Sequence, residues 1–364
     1  MARIVIDARI ISSSTGRYCL RLLQNLEKID YDNEYIVLVP SKDLDYWRPT
    51  ARNFRLQAAD FANYSLAEQI GFKKLLDELD ADLVHFCMPQ QPIMYRRLRV
   101  TTVHDLTLLN TYNSDKNWLT YHTKQLAGRF IFKKIGRDSA LIICPSEYTK
   151  REYASYAGVN PDKITVTYEA ADPADKVYEK YDLPFKKYLL YVGTQSDYKN
   201  LIRLSDAHQK LLAKYPDLGL VFVGRINESP TGVAAHVKKM GYENVHFTGF
   251  IPDKQRNWLF KNCESYIFPS LMEGFGLPGL EAIANSAPVV SSNATCLPEI
   301  YGDAVEYFDP LDVGDMAAAI DRVLSDDKLR TQLIKRGQKQ LKKYSWVNCA
   351  EQTHGVYVKA LGLG

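Results

Sequence analysis

The chain has no Cys-x-x-Cys pair, no long apolar run and no excess of charge of one sign. Its six cysteines, Cys19, Cys87, Cys144, Cys263, Cys296 and Cys349, are scattered, several inside apolar runs and none in a His-rich neighbourhood. That pattern excludes a disulfide scaffold or a zinc knuckle and reads as buried free thiols of a reducing compartment. With Lys+Arg at 46 against Asp+Glu at 43, the net charge of +3 offers nothing to a nucleic-acid backbone, and no recognition motif supports that partner. No apolar stretch approaches the ~20 residues that span a bilayer. Arg3, Asp7 and Arg9 interrupt the first ten residues, so no signal-peptide core forms there and the cytoplasm is the expected location.

What is present is ordinary globular material: 46% hydrophobic and 24% charged residues in 364. That length is long for one core, since single cores stop growing near ~250–300 residues. Short β-branched runs alternate with helical periodicity. In the first half, strands are predicted at Ile4–Arg9, Tyr35–Val39, Phe54–Ala58, Leu83–Cys87, Thr101–Asp105, Leu141–Cys144 and Ile164–Tyr168. Helices are predicted at Arg17–Leu26, Leu66–Leu79, Asn117–Ile135 and Glu147–Ala157. A polar stretch, 171–187, with Pro173 and Pro184, breaks the rhythm and reads as a linker. The alternation then restarts with strands at Tyr188–Val192, Leu220–Val223, Val245–Thr248, Ser265–Phe268, Val289–Ser291 and Val305–Phe308. Two rounds of βαβ units predict two doubly wound, Rossmann-like α/β domains, 1–172 and 185–344, whose ligand edges face a central cleft. Helices follow at Val313–Leu324 and Lys328–Lys342. A last one, from Trp346 into the final segment 345–364, is expected to pack back on the first domain through Trp346, Val356 and Tyr357.

The chemistry concentrates in Phe268-Pro-Ser-Leu-Met-Glu273-Gly-Phe-Gly-Leu-Pro-Gly-Leu-Glu281-Ala. Gly274 and Gly276 let backbone N–H groups approach a ligand, and Pro278 suits the first turn of a helix whose amino end favours anions. Glu273 and Glu281, with seven residues between them, can meet two different polyols a nucleotide's length apart. Here the chain resembles the retaining glycosyltransferases of family four, which share the two-domain GT-B fold and carry a Glu-x7-Glu motif, and among them bacterial mannosyltransferase-like members. The overlapping Gly274-x-Gly276-x-x-Gly279 matches a dinucleotide fingerprint, but the next strand ends in Ser291-Ser292-Asn293, without the acid that holds a ribose.

Other segments fit the same family in the same order. Gly193-Thr194-Gln195-Ser196-Asp197-Tyr198-Lys199-Asn200 resembles its first turn of the second domain, where a basic residue, here Lys199, holds the donor diphosphate and stabilises charge on the leaving phosphate. Thr194 stands where many members carry arginine, and Arg225 at the next strand end is the candidate substitute. His104-Asp105 resembles the family's His-Asp segment, whose histidine hydrogen-bonds the donor sugar. Ser12-Ser-Ser-Thr-Gly16 resembles its glycine loop at acceptor and phosphate, with Ser14 in place of a second glycine. Tyr168-Glu169-Ala170-Ala171-Asp172 stands where an Asn-Gly turn is usual, and Ser146 reads as an N-cap.

The resemblance implies a nucleotide-sugar donor, GDP-mannose before others, and a glycan or lipid-linked acceptor. It implies Glu273 at the transferred hexose, backbone of Gly274, Phe275, Gly276 and Leu277 beside it, Glu281 at the ribose, and retention with the leaving phosphate taking the acceptor proton. No cofactor and no metal are expected. Asp30-x-Asp32, Asp43-x-Asp45 and Asp80-x-Asp82 match a metal-binding signature, yet none sits on a predicted strand end. A phosphorylase, an epimerase of the same fold and a catalytically silent nucleotide-sugar-binding module remain as alternatives. Residues 116–137 combine Lys116, Lys124, Arg129, Lys133, Lys134 and Arg137 with interleaved apolar residues and no acid. Two readings stand: an amphipathic helix with solvated lysines, or a peripheral patch for anionic lipid at the inner face of the membrane.

Overall fold

The computed structural model describes residues 1–13, 15–110, 118–174, 177–227 and 229–363, with side chains at all but 108, 110, 118–124 and 127. It divides into two compact units. Unit 1 takes in Met1–Leu109, Thr123–Glu169 and Ser345–Gly364; unit 2 takes in the run Ala170–Tyr344.

Along the first part of the chain come β1 (Arg3–Asp7), α1 (Gly16–Ile29), β2 (Glu34–Val39), β3 (Phe54–Ala58), α2 (Lys73–Glu78), β4 (Leu83–Phe86) and β5 (Arg99–Thr102). They are followed by α3 (Thr107–Asn110), α4 (Trp118–Asp138), β6 (Leu141–Cys144), α5 (Glu147–Ala157) and β7 (Ile164–Val166). The strands form one parallel sheet in the order β3-β2-β1-β4-β5-β6-β7. Apart from Leu56 and Val166 on the two edge strands, their Val, Ile and Leu side chains are buried on both faces, as a parallel sheet covered by crossover helices requires. Val5, Ile36 and Val84 pack with Phe72 and Leu76, while Ile142 and Val103 pack with Phe132, Ile135 and Tyr153.

Unit 2 runs through β8 (Lys187–Val192), α6 (Leu201–Leu211), β9 (Leu218–Val223), α7 (Val233–Met240), β10 (Val245–Gly249), α8 (Asp253–Asn262) and β11 (Ser265–Phe268). It continues with α9 (Leu277–Ala284), β12 (Val289–Ser292), α10 (Leu297–Tyr301), β13 (Glu306–Phe308), α11 (Val313–Ser325) and α12 (Asp327–Leu341). Its parallel sheet has the order β10-β9-β8-β11-β12-β13. The last helix, α13 (Trp346–Leu361), belongs to unit 1, where it lies on α1 and meets β4, β5 and β6. Its Trp346, Cys349, Ala350, Thr353, Val356 and Tyr357 are buried.

Two local differences from the sequence reading matter for the site. The strand expected at Thr101–Asp105 ends at Thr102, because Asp105 turns its carboxylate to the Thr107 N–H (2.8 Å) and opens α3; His104 therefore lies just past the sheet. The stretch 171–187, expected as a connector, is held to the body of unit 2: the Glu179 N–H donates to the Lys254 carbonyl (3.3 Å), and the Lys261 ammonium lies over the Tyr178 ring. All six cysteines are buried. Among the described residues, no helix is long and apolar enough to cross a membrane.

Candidate functional site

The carboxyl ends of the unit 2 strands are joined by backbone hydrogen bonds. The Gly193 N–H donates to the Val223 carbonyl (2.9 Å) and the Gly224 N–H to the Gly249 carbonyl (3.1 Å), which draws the loops after β8, β9 and β10 together. Gly224, at φ +134°, has no room for a side chain: a Cβ there would stand 2.2 Å from the Gly193 carbonyl oxygen. Beside these loops lies an open cavity of about 1050 Å³ lined by Thr194, Gln195, Arg225, Asn227, Gly249 and Phe250, among others. Thr194 and Arg225 are both exposed there. Tyr191 donates its hydroxyl to the Thr194 carbonyl (2.7 Å), and Gln195 Oε1 accepts the Asn227 N–H (3.0 Å).

The sheet order sets β11 directly beside β8, and this brings the two acidic and basic candidates together. Lys199 Nζ donates to Glu273 Oε1 at 2.6 Å, with 9% and 12% of the two side chains exposed. Burial works against the ammonium, but Glu273, aided by the Tyr191 and Tyr198 hydroxyls, outweighs it and holds the Lys199 pKa above its ordinary value. The same ammonium lies over the rings of Tyr198 and Phe268. Asn200, in the left-handed region at φ +61°, donates from Nδ2 to the carbonyls of Pro269 (3.1 Å) and Pro310 (2.7 Å) and so fastens the Lys199 turn to two other loops. Leu271 adds a backbone bond to the Tyr198 carbonyl (2.8 Å). Asn200, Tyr198 and Gly224 carry no role in the sequence reading. The available signal was an asparagine directly before a helix, a residue type that tolerates left-handed backbone.

Past Glu273, whose N–H donates to Thr295 Oγ1 (3.2 Å), the turn Gly274-Phe275-Gly276 is buried and leads into α9 at Leu277. Gly276, at φ +90°, needs to be glycine twice over: for its backbone, and because a Cβ would sit 2.6 Å from the Tyr301 hydroxyl. That hydroxyl donates to the Gly276 carbonyl at 2.5 Å, so Tyr301 fixes the turn from below. Phe275 rests edge-on against Tyr344, and Glu281 is half-buried on α9. Among the described residues, no three His, Cys, Asp or Glu side chains converge as metal ligands. Carboxylates of the Asp-x-Asp pairs are engaged locally: Asp30 accepts from Tyr35 (2.6 Å), Asp45 pairs with Arg48, and Asp80 pairs with Arg97.

In unit 1, His104 has both ring nitrogens engaged, Nδ1 with Glu169 Oε1 (3.2 Å) and Nε2 with the Cys87 carbonyl (3.0 Å). Gly16 opens α1 because the carbonyls of Ile10 and Ile11 press on it; a Cβ would stand 2.3 and 2.2 Å from them. Its N–H is donated to the Ser13 carbonyl (3.0 Å). Ser146 Oγ accepts the Thr149 N–H (3.1 Å) and caps α5.

The chain is similar to known proteins along most of its length. Residues 15–175 match the family model described as Glycosyltransferase Family 4, and residues 179–340 match the one described as Glycosyl transferases group 1. The chain is 33% identical to the O-antigen chain mannosyltransferase B of Escherichia coli over 274 residues, covering 71% of this chain and 69% of that protein. It is 28% identical to the serotype-specific mannosyltransferase WbdA of Escherichia coli, over 94% of this chain but only 45% of that longer protein. Among solved structures, sucrose-phosphate synthase from Thermosynechococcus elongatus superposes with a TM-score of 0.76 at 16% identity, all of each chain being covered. Anabaena HepE in complex with UDP and glucose gives a TM-score of 0.73 at 17% identity, over 98% of this chain and 99% of that one. These folds are GT-B.

Proposed function

The chain belongs to the family 4 glycosyltransferases, and from that premise we propose that it moves a mannosyl unit from GDP-mannose to a glycan or lipid-linked acceptor, with retention and without a metal. The observation that carries this reading is the Lys199–Glu273 pair beside the buried glycine turn at the strand ends of unit 2. An ammonium there faces the place where a diphosphate leaving group gains charge, and such preorganised charge is the largest single contribution in reactions of this kind. Glu273 then serves a sugar hydroxyl, and the adjoining turn, with α9 behind it, offers backbone groups of Gly274, Phe275, Gly276 and Leu277. Glu281, further along α9, serves the ribose. Arg225, exposed on the cavity it lines with Thr194, is the second cation for the phosphates, and Gly193 holds the adjoining loop. His104 serves the sugar from unit 1, and Gly16 holds the shape of its loop. Mannose rests on the names of the relatives.

The test uses the purified protein, freed of metal with EDTA, and a panel of GDP-, UDP- and ADP-sugars. GDP-mannose should be consumed in the presence of acceptor, and product NMR should show an α-linked mannosyl unit. Preference for a UDP-sugar would overturn the donor. Loss of turnover that Mn²⁺ or Mg²⁺ restores would overturn metal independence.

A lipid-linked acceptor also asks for contact with a membrane surface, and α4 carries the candidate. Of the stretch 116–137, Lys116 lies outside the described residues and the Lys124 side chain is not described. In the described part, Leu126 is 67% and Phe130 58% exposed, and Arg129, Lys133 and Arg137 are exposed at spacings that share their helix face. Lys134 (2.6 Å) and Arg137 (2.8 Å) both bond Asp138, which leaves Arg129 and Lys133 as the cations on that face that do not pair with it. Apolar tips ringed by cations suit an anionic surface, each cation contributing about 1 kcal/mol. Sedimentation should show salt-sensitive binding to anionic vesicles and none to neutral ones. No binding to anionic vesicles at low salt would remove the membrane from the reading.

A further inference from the structure

His104 is not presented as an ordinary imidazole. Its Nε2 faces the Cys87 carbonyl oxygen at 3.0 Å, a group that only accepts, so that nitrogen carries a proton. Its Nδ1 faces Glu169 Oε1 at 3.2 Å, and a carboxylate oxygen in that place favours a proton on that nitrogen too. We propose that Glu169 is a positioning residue that holds His104 as a doubly protonated imidazolium, so that, with both N–H groups taken by Glu169 and Cys87, His104 acts at the sugar through its positive charge and not as a base. This rests on the sugar-site reading of His104 given above.

The ring is seated by a buried chain of hydrogen bonds that reaches the last helix. Tyr18 of α1 meets the His104 ring edge-on, with centroids 4.8 Å apart. The Tyr18 hydroxyl pairs with Thr102 Oγ1 (3.0 Å), Thr102 Oγ1 with His85 Nε2 (2.8 Å), and His85 Nδ1 with the Tyr357 hydroxyl (2.6 Å). The titratable groups facing His104 and Glu169 from these elements are Tyr18, His85, Cys87, Asp105 and Cys349. Burial keeps Tyr18 and Cys87 far above their ordinary values, raises Cys349 to about 12, and lowers His85 to about 3. All four are neutral near pH 7. Burial pulls His104 down, but the hydrogen bond and charge of Glu169, with the Cys87 carbonyl and Asp105, raise it above 6.5 overall. A raised value means that the imidazolium is complete at low pH and is lost as pH rises through it.

The decisive measurement is the ring ¹⁵N and ¹³C NMR of the labelled full chain, its seven histidines sorted with His104→Ala. Both nitrogens of His104 should be protonated at pH 7, with a midpoint above an ordinary histidine. Glu169→Gln should lower that midpoint by roughly one unit, the low end for losing an adjacent opposite charge, and move the alkaline limb of kcat/KM down with it. Glu169→Asp should restore part of both shifts, whereas a merely structural role would change Tm and leave the limb where it is. A singly protonated ring at pH 7, or a midpoint unmoved by Glu169→Gln, would overturn the proposal. Full activity in His104→Ala would instead overturn the sugar-site reading, while the NMR titration would still decide the protonation state.

Discussion

Lys199→Ala should lower kcat by about 10²–10³-fold with donor saturating, as removal of one preorganised charge stabiliser does elsewhere. The ammonium is buried, held above its ordinary pKa against the opposing effect of burial, and fixed by a 2.6 Å bond to Glu273. It therefore needs little reorganisation when phosphate charge develops. Steady-state kinetics with a range of donor concentrations checks this, and KM should change less than kcat. A kcat near that of the parent would remove Lys199 from the phosphate and pass the role to Arg225.

Glu273→Leu should produce the larger loss of stability, roughly 3 kcal/mol, because it strands a buried ammonium between Tyr198 and Phe268. The figure sits at the low end for broken buried pairs, since both partners keep a sliver of exposure. Adding Lys199→Met should recover most of that loss, as a well-packed apolar pair often matches the ion pair it replaces. Urea unfolding of the two single variants and the double variant settles the matter, with kcat lowered by about 10²-fold or more in those that lack Lys199. A double variant no more stable than Glu273→Leu alone would show that the two charges are not coupled. The pair would then be retained for chemistry and for nothing else.

Where local chemistry decides structure, the sequence was legible. The strands Phe54–Ala58, Leu141–Cys144 and Ser265–Phe268, and the helix Glu147–Ala157 with its Ser146 cap, lie where β-branched runs and capping residues put them. The turn from Glu273 to Leu277 was readable for the same reason, as glycine and proline act on the backbone at their own positions. Contacts between distant residues were not readable. Lys199 and Glu273 are 74 residues apart and meet because β11 returns beside β8, a matter of strand order that no local pattern encodes. His104 and Glu169 are 65 apart and meet across the end of one sheet. Strand ends were the weakest point. At Thr102 the outcome turned on whether Asp105 would bond forward to Thr107, a choice between two nearly equal local geometries.

The placement of α13 has a consequence for how the chain is made. A ribosome delivers residues in order, and most multidomain chains complete their amino-terminal domain first. Here Ile4, Leu22 and His85 emerge early, but Trp346, Val356 and Tyr357, which cover α1 and bond His85, follow every residue of unit 2. Unit 2 therefore holds its complete set of strands and helices while unit 1 still exposes apolar surface along α1. During that interval the nascent chain is a natural client for a chaperone, and a stall after Tyr344 would release a finished unit 2 attached to an unfinished unit 1.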